Sequence, residues 1–178
     1  MDNAEAGRLA RLTEEIIAGR TDLAAVIGIS DDELEAVYAL GHRFYSAGKY
    51  GEAQSFFHFL CMHRYIDARF WFGFGAASQM LGDSANAVRA YGLAALLNDE
   101  DPQIPLRAAK CLIKLGQPAA AVSALESVVE LSGGKPEHQA FAQRASLMLR
   151  RLRPEAGCKG DDSNAWHEYN GRDGWNSI

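Results

Sequence analysis

Apolar and small side chains recur along the central part of the chain at spacings of three and four, which is the period of an amphipathic helix. Two such faces are clear in the sequence. They are formed by Val37, Leu40, Gly41 and Phe44 in one stretch and by Trp71, Phe74, Gly75 and Ser78 in the next. The pattern predicts packed helices in this part of the chain.

The helical pattern also repeats with a fixed period. Gly48, Gly82 and Gly116 are 34 residues apart, and this period is typical of tetratricopeptide repeats, in which each unit is a pair of helices. Arrays of this kind form grooves that bind other chains, so a binding role is favoured over an enzyme. The same step relates three further sets: Gly41, Gly75 and Ala109; Ala53, Ala87 and Ala121; Phe57, Tyr91 and Leu125.

Three repeat units follow from this alignment, namely Leu34–Asp67, Ala68–Asp101 and Pro102–Lys135. Pro102 and Pro136 fall just after the ends of units, where a helix has to stop. We expect each repeated turn glycine to end a first helix in the left-handed backbone region. We expect the small residues upstream to lie where a partner helix crosses. The predicted fold is all-α, with three tetratricopeptide repeats in a short right-handed superhelix.

The flanking residues predict a helical arm and a closing helix. Apolar residues among Glu and Arg predict an amphipathic helix over residues 4–17, and Ser30 with Glu33 forms a capping-box pattern before the first repeat. Residues 137–152 carry another apolar face and end in cations that suit the helix dipole. The predicted organisation is an arm at 1–33 that can serve dimerisation, repeats and closing helix at 34–152, and a tail at 153–178.

The tail allows two interpretations. Its richness in Gly, Asp, Asn and Ser predicts disorder, yet it contains Trp166, Tyr169 and Trp175. Either these aromatic residues are incidental, or the tail docks onto this chain, a dimer partner or another protein.

Charge and composition argue against several functional classes. The chain has 178 residues and a formal charge of −5. The negative charge is concentrated in residues 1–33, which contain eight acidic and three basic residues. Residues 34–135 contain nine of each and are neutral overall. A negative chain is a poor ligand for nucleic-acid phosphates.

No apolar run is long enough to span a bilayer, and the N-terminus lacks the pattern of a signal peptide. Three scattered cysteines suit a reduced cytoplasmic chain. We expect neither direct nucleic-acid binding nor stable membrane association.

The first helix of each unit is expected to line the concave face of the array. Five positions per unit point into this groove, and they mix aromatic and aliphatic residues with polar ones. Such a surface suits an extended peptide whose alternate side chains enter pockets. The predicted groove positions are Glu35, Tyr38, His42, Tyr45 and Ser46, then Arg69, Phe72, Ala76, Gln79 and Met80, and finally Gln103, Leu106, Lys110, Ile113 and Lys114.

A clamp for a terminal carboxylate is not expected. Tetratricopeptide domains of that kind need basic and amide residues at concave positions that are here Tyr38, His42, Gly73, Gln103 and Arg107. Only Arg107 fits.

No catalytic or metal site is expected either. His58, Cys61 and His63 cluster at the end of a predicted helix, where an ordinary helix face is the preferred interpretation. The glycine-rich stretches lack the flanking pattern of a nucleotide site. No nucleophile, base and orienting group can be assembled, so no cofactor is predicted.

Three segments resemble the class II chaperones of type III secretion systems. They read YALG…Y..GKY.EA…F..LC over Tyr38–Cys61, ARFWFGFGAA over Ala68–Ala77, and DPQIPLRAAKCL over Asp101–Leu112. The similarity covers residues 30–150. It includes Pro105, which is unusual inside a first helix but occurs at a position where family members also carry proline.

The resemblance implies a non-enzymatic role in the bacterial cytoplasm. Such chaperones bind two hydrophobic pore-forming translocator proteins before secretion and keep them soluble, apart and away from membranes. The client contributes a short extended segment, which is held in the groove. The residues that match the family's groove are Tyr38, His42, Tyr45, Phe72, Ala76 and Leu106.

The resemblance also carries departures and alternatives. His42 stands where the family usually has phenylalanine or tyrosine, which leaves the client preference of one pocket open and introduces a group that can titrate near neutral pH. Some family members partner an AraC-type transcription activator, and a generic tetratricopeptide adaptor is the remaining alternative. Family members often dimerise through the N-terminal helix, where the candidates here are Leu9, Leu12, Ile16 and Ile17.

Overall fold

The computed structural model describes residues 3–19 and 21–153, with the backbone alone at residues 3, 4, 8 and 9. The predicted aromatic tail lies outside the described residues. Every regular element in these ranges is helical. The elements in chain order are α1 (Asn3–Ile17), α2 (Leu23–Ile27), α3 (Asp31–Ser46), α4 (Tyr50–His63), α5 (Ala68–Met80), α6 (Ser84–Leu97), α7 (Gln103–Lys114), α8 (Pro118–Ser132), a 3-10 turn (Pro136–His138) and α9 (Gln139–Leu152).

From α3 to α9 each helix packs against the next one along the chain. The pairs α3/α4, α5/α6 and α7/α8 correspond to the three predicted units, and α9 packs on α8 as the predicted closing helix. The all-α repeat fold is therefore confirmed. Because neighbours in space are neighbours in sequence, most packing arises within a unit or between adjacent units.

The three repeated glycines end the first helices, as predicted. Gly48, Gly82 and Gly116 have φ of 74°, 83° and 69°, a region that only glycine enters without a steric penalty. The amide that follows each glycine donates back to the last turn, as Lys49 N does to the Phe44 carbonyl at 2.9 Å. This reversal of direction brings the second helix of each pair back along the first.

Small residues permit the close helix crossings. A Cβ added at Gly75 on α5 would lie 2.9 Å from the ring of Tyr91 on α6, and one at Gly41 would lie 3.2 Å from the ring of Phe57 on α4. Gly73 was not predicted as a crossing point, yet a Cβ there would lie 2.6 Å from the Phe57 ring. Helix α5 therefore has glycine on two faces, one against α4 and one against α6.

Aromatic rings fill the space that the small residues leave. Phe57, Phe70 and Tyr91 are among the largest fully buried side chains, and each contributes about 1.5–3 kcal/mol of hydrophobic stabilisation. The third unit replaces these rings with Leu125 and Val128, which pack with Ala145 of α9. The aliphatic third unit is thus completed by the closing helix.

An ion-pair cluster joins the arm to the first repeat. Arg64, after α4, donates from Nε to Asp22 at 2.7 Å and pairs through Nη2 with Asp31 at 2.6 Å. Asp22 also accepts from the Ala25 amide and so caps α2. The predicted capping box is present as well, because Ser30 and Glu33 exchange side-chain and backbone hydrogen bonds at the start of α3.

Pro105 fits its helix because it lies in the first turn of α7. The amides of that turn have no partner within the helix, so proline removes no hydrogen bond there. The residue that looks unusual in the sequence is therefore compatible with an unbroken helix.

Candidate peptide-binding groove

The predicted groove residues lie on α3, α5 and α7, the first helices of the three units. Their exposure divides them into two groups. Arg69 is exposed and Tyr38, His42, Gln79 and Lys110 are half-buried, whereas Tyr45, Phe72, Ala76 and Leu106 are buried. Only the first group offers substantial side-chain surface to a ligand in this conformation.

Tyr38 packs between two helices at the first unit. Its ring centroid lies 5.8 Å from that of Phe57 on α4 and 5.7 Å from that of Phe70 on α5. Burial raises the pKa of the Tyr38 hydroxyl, although the nearby Arg69 guanidinium acts in the opposite direction. Tyr38 therefore contributes to the core as well as to the predicted groove.

Arg69 is held by carboxylates. Its Nη2 lies 2.6 Å from Glu35 Oε1 and 2.7 Å from Asp67 Oδ2, and its guanidinium lies 5.3 Å from the centroid of the Tyr38 ring. Hydrogen bonds from Asp67 and then Glu35 raise the pKa of Arg69. The positive charge at this end of the predicted groove is therefore compensated.

Four of the predicted groove residues lie deeper than the sequence suggests. Ala76 has 0% exposure, Leu106 has 2% and Phe72 has 6%. Side chains at these depths shape the surface rather than present much area of their own. Tyr45 is similarly buried and packs edge-on against Tyr50 at 5.3 Å.

A polar and aromatic cluster joins α5, α6 and α7. The Tyr91 hydroxyl donates to Gln79 Oε1 at 2.8 Å, and the Tyr91 ring lies 5.7 Å from the Phe72 ring. The Arg107 guanidinium lies 5.3 Å from the centroid of Phe72. Burial raises the pKa of Tyr91, and Arg107 acts against that rise.

Arg107 is the residue whose environment sequence reasoning missed. The residue is 8% exposed, and its Nε has no hydrogen-bond partner in the described part of the chain. The sequence contains one signal for this burial. Arg107 lies next to Leu106 and one helical turn before Lys110, on the side of α7 that carries the predicted groove positions.

Helix α7 carries basic residues from its second turn to its end. It carries Arg107, Lys110 and Lys114 and contains no acidic residue between its ends. Burial raises the pKa of the Cys111 thiol to about 11, and Lys114, Arg107 and Lys110 all act against that rise. All three cations therefore lie close enough to Cys111 to influence the pKa of its thiol.

The histidine and cysteine cluster does not converge. His58 packs on the Phe74 ring and His63 on the Phe59 ring, while Cys61 is buried between helices. Burial raises the pKa of Cys61 to about 12. Among the described residues no group of three His, Cys, Asp or Glu side chains could hold a metal ion.

The N-terminal helix leaves apolar surface exposed. Ile17 is 80% exposed, and Leu12 and Ile16 are half-buried, while the side chain of Leu9 lies outside the described residues. The Tyr65 hydroxyl donates to the Ile16 carbonyl at 2.9 Å and so ties the end of α1 to the first repeat. Over the described ranges no helix is long and apolar enough to cross a membrane.

Comparisons with known proteins match this architecture. A family model for the tetratricopeptide repeat matches residues 34–62 and 70–101, which are the two units that carry the packing aromatics. Low calcium response locus protein H of Yersinia pseudotuberculosis is 35% identical over 140 residues, which cover 79% of this chain and 83% of that protein.

Two solved structures are similar over the repeats. PcrH of Pseudomonas aeruginosa, in complex with the chaperone binding region of PopD, is 41% identical with a TM-score of 0.68, covering 70% of this chain and 94% of that one. The Yersinia enterocolitica type III secretion chaperone SycD, in complex with a peptide of the translocator YopD, is 37% identical with a TM-score of 0.67, covering 70% and 95%. This chain belongs to the family of class II type III secretion chaperones, which are built from tetratricopeptide repeats.

Proposed function

We propose that this protein is a cytoplasmic chaperone of a type III secretion system, and that it binds two hydrophobic translocator proteins through the groove lined by α3, α5 and α7. The observation that carries the proposal is the similarity to SycD, solved in complex with a peptide of the translocator YopD, and to PcrH, solved in complex with the chaperone binding region of PopD. The role is binding and not catalysis. It requires only that apolar client surface be covered until secretion begins.

The groove residues support the proposal through their chemistry. Tyr38, His42, Gln79 and Lys110 offer partly exposed aromatic and polar groups. Phe72 and Leu106, just beneath the surface, make the floor apolar. An extended peptide with alternating apolar anchors is the ligand that such a surface favours.

The experiment is co-expression of the full chain with each translocator encoded beside it. We expect both translocators to become soluble and to co-purify with the chain. Met80→Glu introduces a charge at an exposed position of α5 within the predicted groove and should abolish co-purification. Failure of both translocators to co-purify with the unmodified chain would contradict the proposal.

A matched control lies on the second helices. Leu96 of α6 is 82% exposed, so Leu96→Glu introduces the same charge outside the predicted groove without disturbing the core. It should leave co-purification unchanged. Equal loss for Met80→Glu and Leu96→Glu would place the client elsewhere than in the groove.

We further propose that the free chaperone is a homodimer joined through the arm. Support comes from the exposed apolar side of α1 and from SycD, one of whose crystal structures is an alternative dimer. Partnership with a transcription activator stays a prediction from the family resemblance.

A further inference from the structure

Arg107 is a buried cation that lacks an acceptor for Nε among the described residues. It is 8% exposed, and its guanidinium lies 5.3 Å from the centroid of the Phe72 ring and within hydrogen-bonding reach of the Tyr91 hydroxyl, whereas Nε has no acceptor. Leaving a buried, charged N–H without an acceptor is costly, and a cation–π contact offsets only part of that cost. Such an arrangement is expected where the missing acceptor arrives with a ligand.

The surroundings of Arg107 favour an anionic acceptor. Lys110 and Lys114 follow on the same side of α7, and the helix itself has no acidic residue. The nearest upstream carboxylate, Asp101, accepts the Gln103 amide at 2.8 Å at the start of the helix. By contrast, Arg69 of the second unit already binds two carboxylates of the first unit, Glu35 and Asp67.

We propose that Arg107, with Lys110 and Lys114 beside it, binds the carboxylate of an Asp or Glu side chain in the peptide that occupies the groove. This inference rests on the proposed function, because it assigns one residue type to the bound client segment. A planar guanidinium pairs with a carboxylate through two parallel hydrogen bonds.

The recognised segment therefore has a definite chemistry. Leu106 and Phe72 lie just beneath the surface and make the floor beside the cation apolar, so the acidic residue should be flanked by apolar anchors. A terminal carboxylate is not the expected ligand, because the other positions of a terminal clamp are Tyr38, His42, Gly73 and Gln103. One internal acidic side chain would supply the acceptor that Nε of Arg107 lacks.

The test uses overlapping 15-residue synthetic peptides that cover the two translocators encoded beside this chain, with binding to the full chain measured by fluorescence anisotropy. Each Asp and Glu of every binding peptide is then replaced by Asn or Gln. We expect one such replacement to weaken binding to the unmodified chain at least about tenfold, which corresponds to a charge-assisted hydrogen bond in a partly buried site.

The same replacement should have no further effect on Arg107→Met, which keeps the length and packing of the side chain but removes its charge. Arg89→Met is the matched control, because Arg89 is an exposed arginine on α6. In that variant the tenfold effect should persist. The inference is overturned if every acidic replacement has the same effect on Arg107→Met as on the unmodified chain, or if the binding peptides contain no acidic residue.

The first arm of the test needs no variant, so it can overturn the inference even if Arg107→Met does not fold. Absence of any binding peptide would overturn the proposed function together with this inference, whereas binding without a carboxylate effect overturns this inference alone.

The chain's own acidic tail is the competing source of a carboxylate, because residues 154–178 include Glu155, Asp161, Asp162, Glu168 and Asp173. A full-length variant with all five replaced by their amides tests it. Client binding that tightens in this variant and loses its dependence on the peptide carboxylate would assign the site to the tail and overturn the client assignment. Unchanged binding supports the client.

Discussion

Arg69 and Glu35 occupy the same position in consecutive repeats and pair across the boundary between them. Nη2 of Arg69 lies 2.6 Å from Oε1 of Glu35, and Nη1 lies 3.3 Å from Oε2. The two residues are 34 positions apart in the sequence, which is one repeat. The pair thus connects the first helices α3 and α5 directly, in addition to the contacts that run through α4.

We expect Glu35→Gln to lower the free energy of unfolding by less than about 1 kcal/mol, because the pair is half-exposed and exposed ion pairs contribute little. Asp67 remains at 2.7 Å to hold Arg69. Asp67→Ala should cost about 1 kcal/mol more, because Asp67 also caps α5 through the Arg69 amide. Urea unfolding of both variants measures the difference, and an equal cost would show that the cap contributes nothing.

The period of the sequence was enough to predict the helix pairs and their turns. A left-handed glycine is a local steric requirement, so Gly48, Gly82 and Gly116 could be identified from spacing alone. The same is true of Gly41 and Gly75, because a crossing helix leaves room only for a small residue. These features depend on single positions and their nearest neighbours in the repeat.

The depth of the groove residues could not be read from the period. Whether Phe72 and Leu106 lie at the surface depends on how closely α5, α6 and α7 approach, which is set by side chains from three helices at once. The pair between Arg64 and Asp22 spans 42 residues and lies outside the repeat register. Arg107 belongs to the same class, because its burial depends on Phe72 in another unit.

Gly75→Ala is expected to destabilise the fold. The added Cβ would lie 2.9 Å from two ring carbons of the fully buried Tyr91, and overpacking of this kind costs about 1–3 kcal/mol. Gly92→Ala is the matched control, because Gly92 lies in α6 with nothing within 4 Å of an added Cβ. That change should instead stabilise the helix by up to about 1 kcal/mol. Thermal unfolding of both variants gives the sign of each effect.

Ile17→Lys tests the dimer that we propose for the free chaperone. Ile17 is 80% exposed on α1, so a charge there should leave the fold intact and disrupt an apolar contact with a second copy. Glu15→Gln changes the net charge by the same amount on the opposite side of the helix. Sedimentation equilibrium should show a weaker dimer for Ile17→Lys alone. Identical association constants for the two variants would rule out this face of α1.

Lowering the pH should weaken the attachment of the arm to the first repeat. Burial by itself would raise the pKa of Asp22, but hydrogen bonds from Ala25 and Arg64, with the charge of Arg64, lower it overall. A carboxyl with a lowered folded pKa stabilises the fold fully above its unfolded pKa of about 4, and this stabilisation is lost as the pH falls through the folded value.

Asp22→Asn keeps a capping side chain but not the charge, so its unfolding temperature should fall less than that of the unmodified chain between pH 6 and pH 3. Arg64→Met should flatten the profile in the same way, and the double variant should add little, because both changes remove one interaction. Parallel profiles for Asp22→Asn and the unmodified chain would show that the ion pair with Arg64 does not contribute to stability.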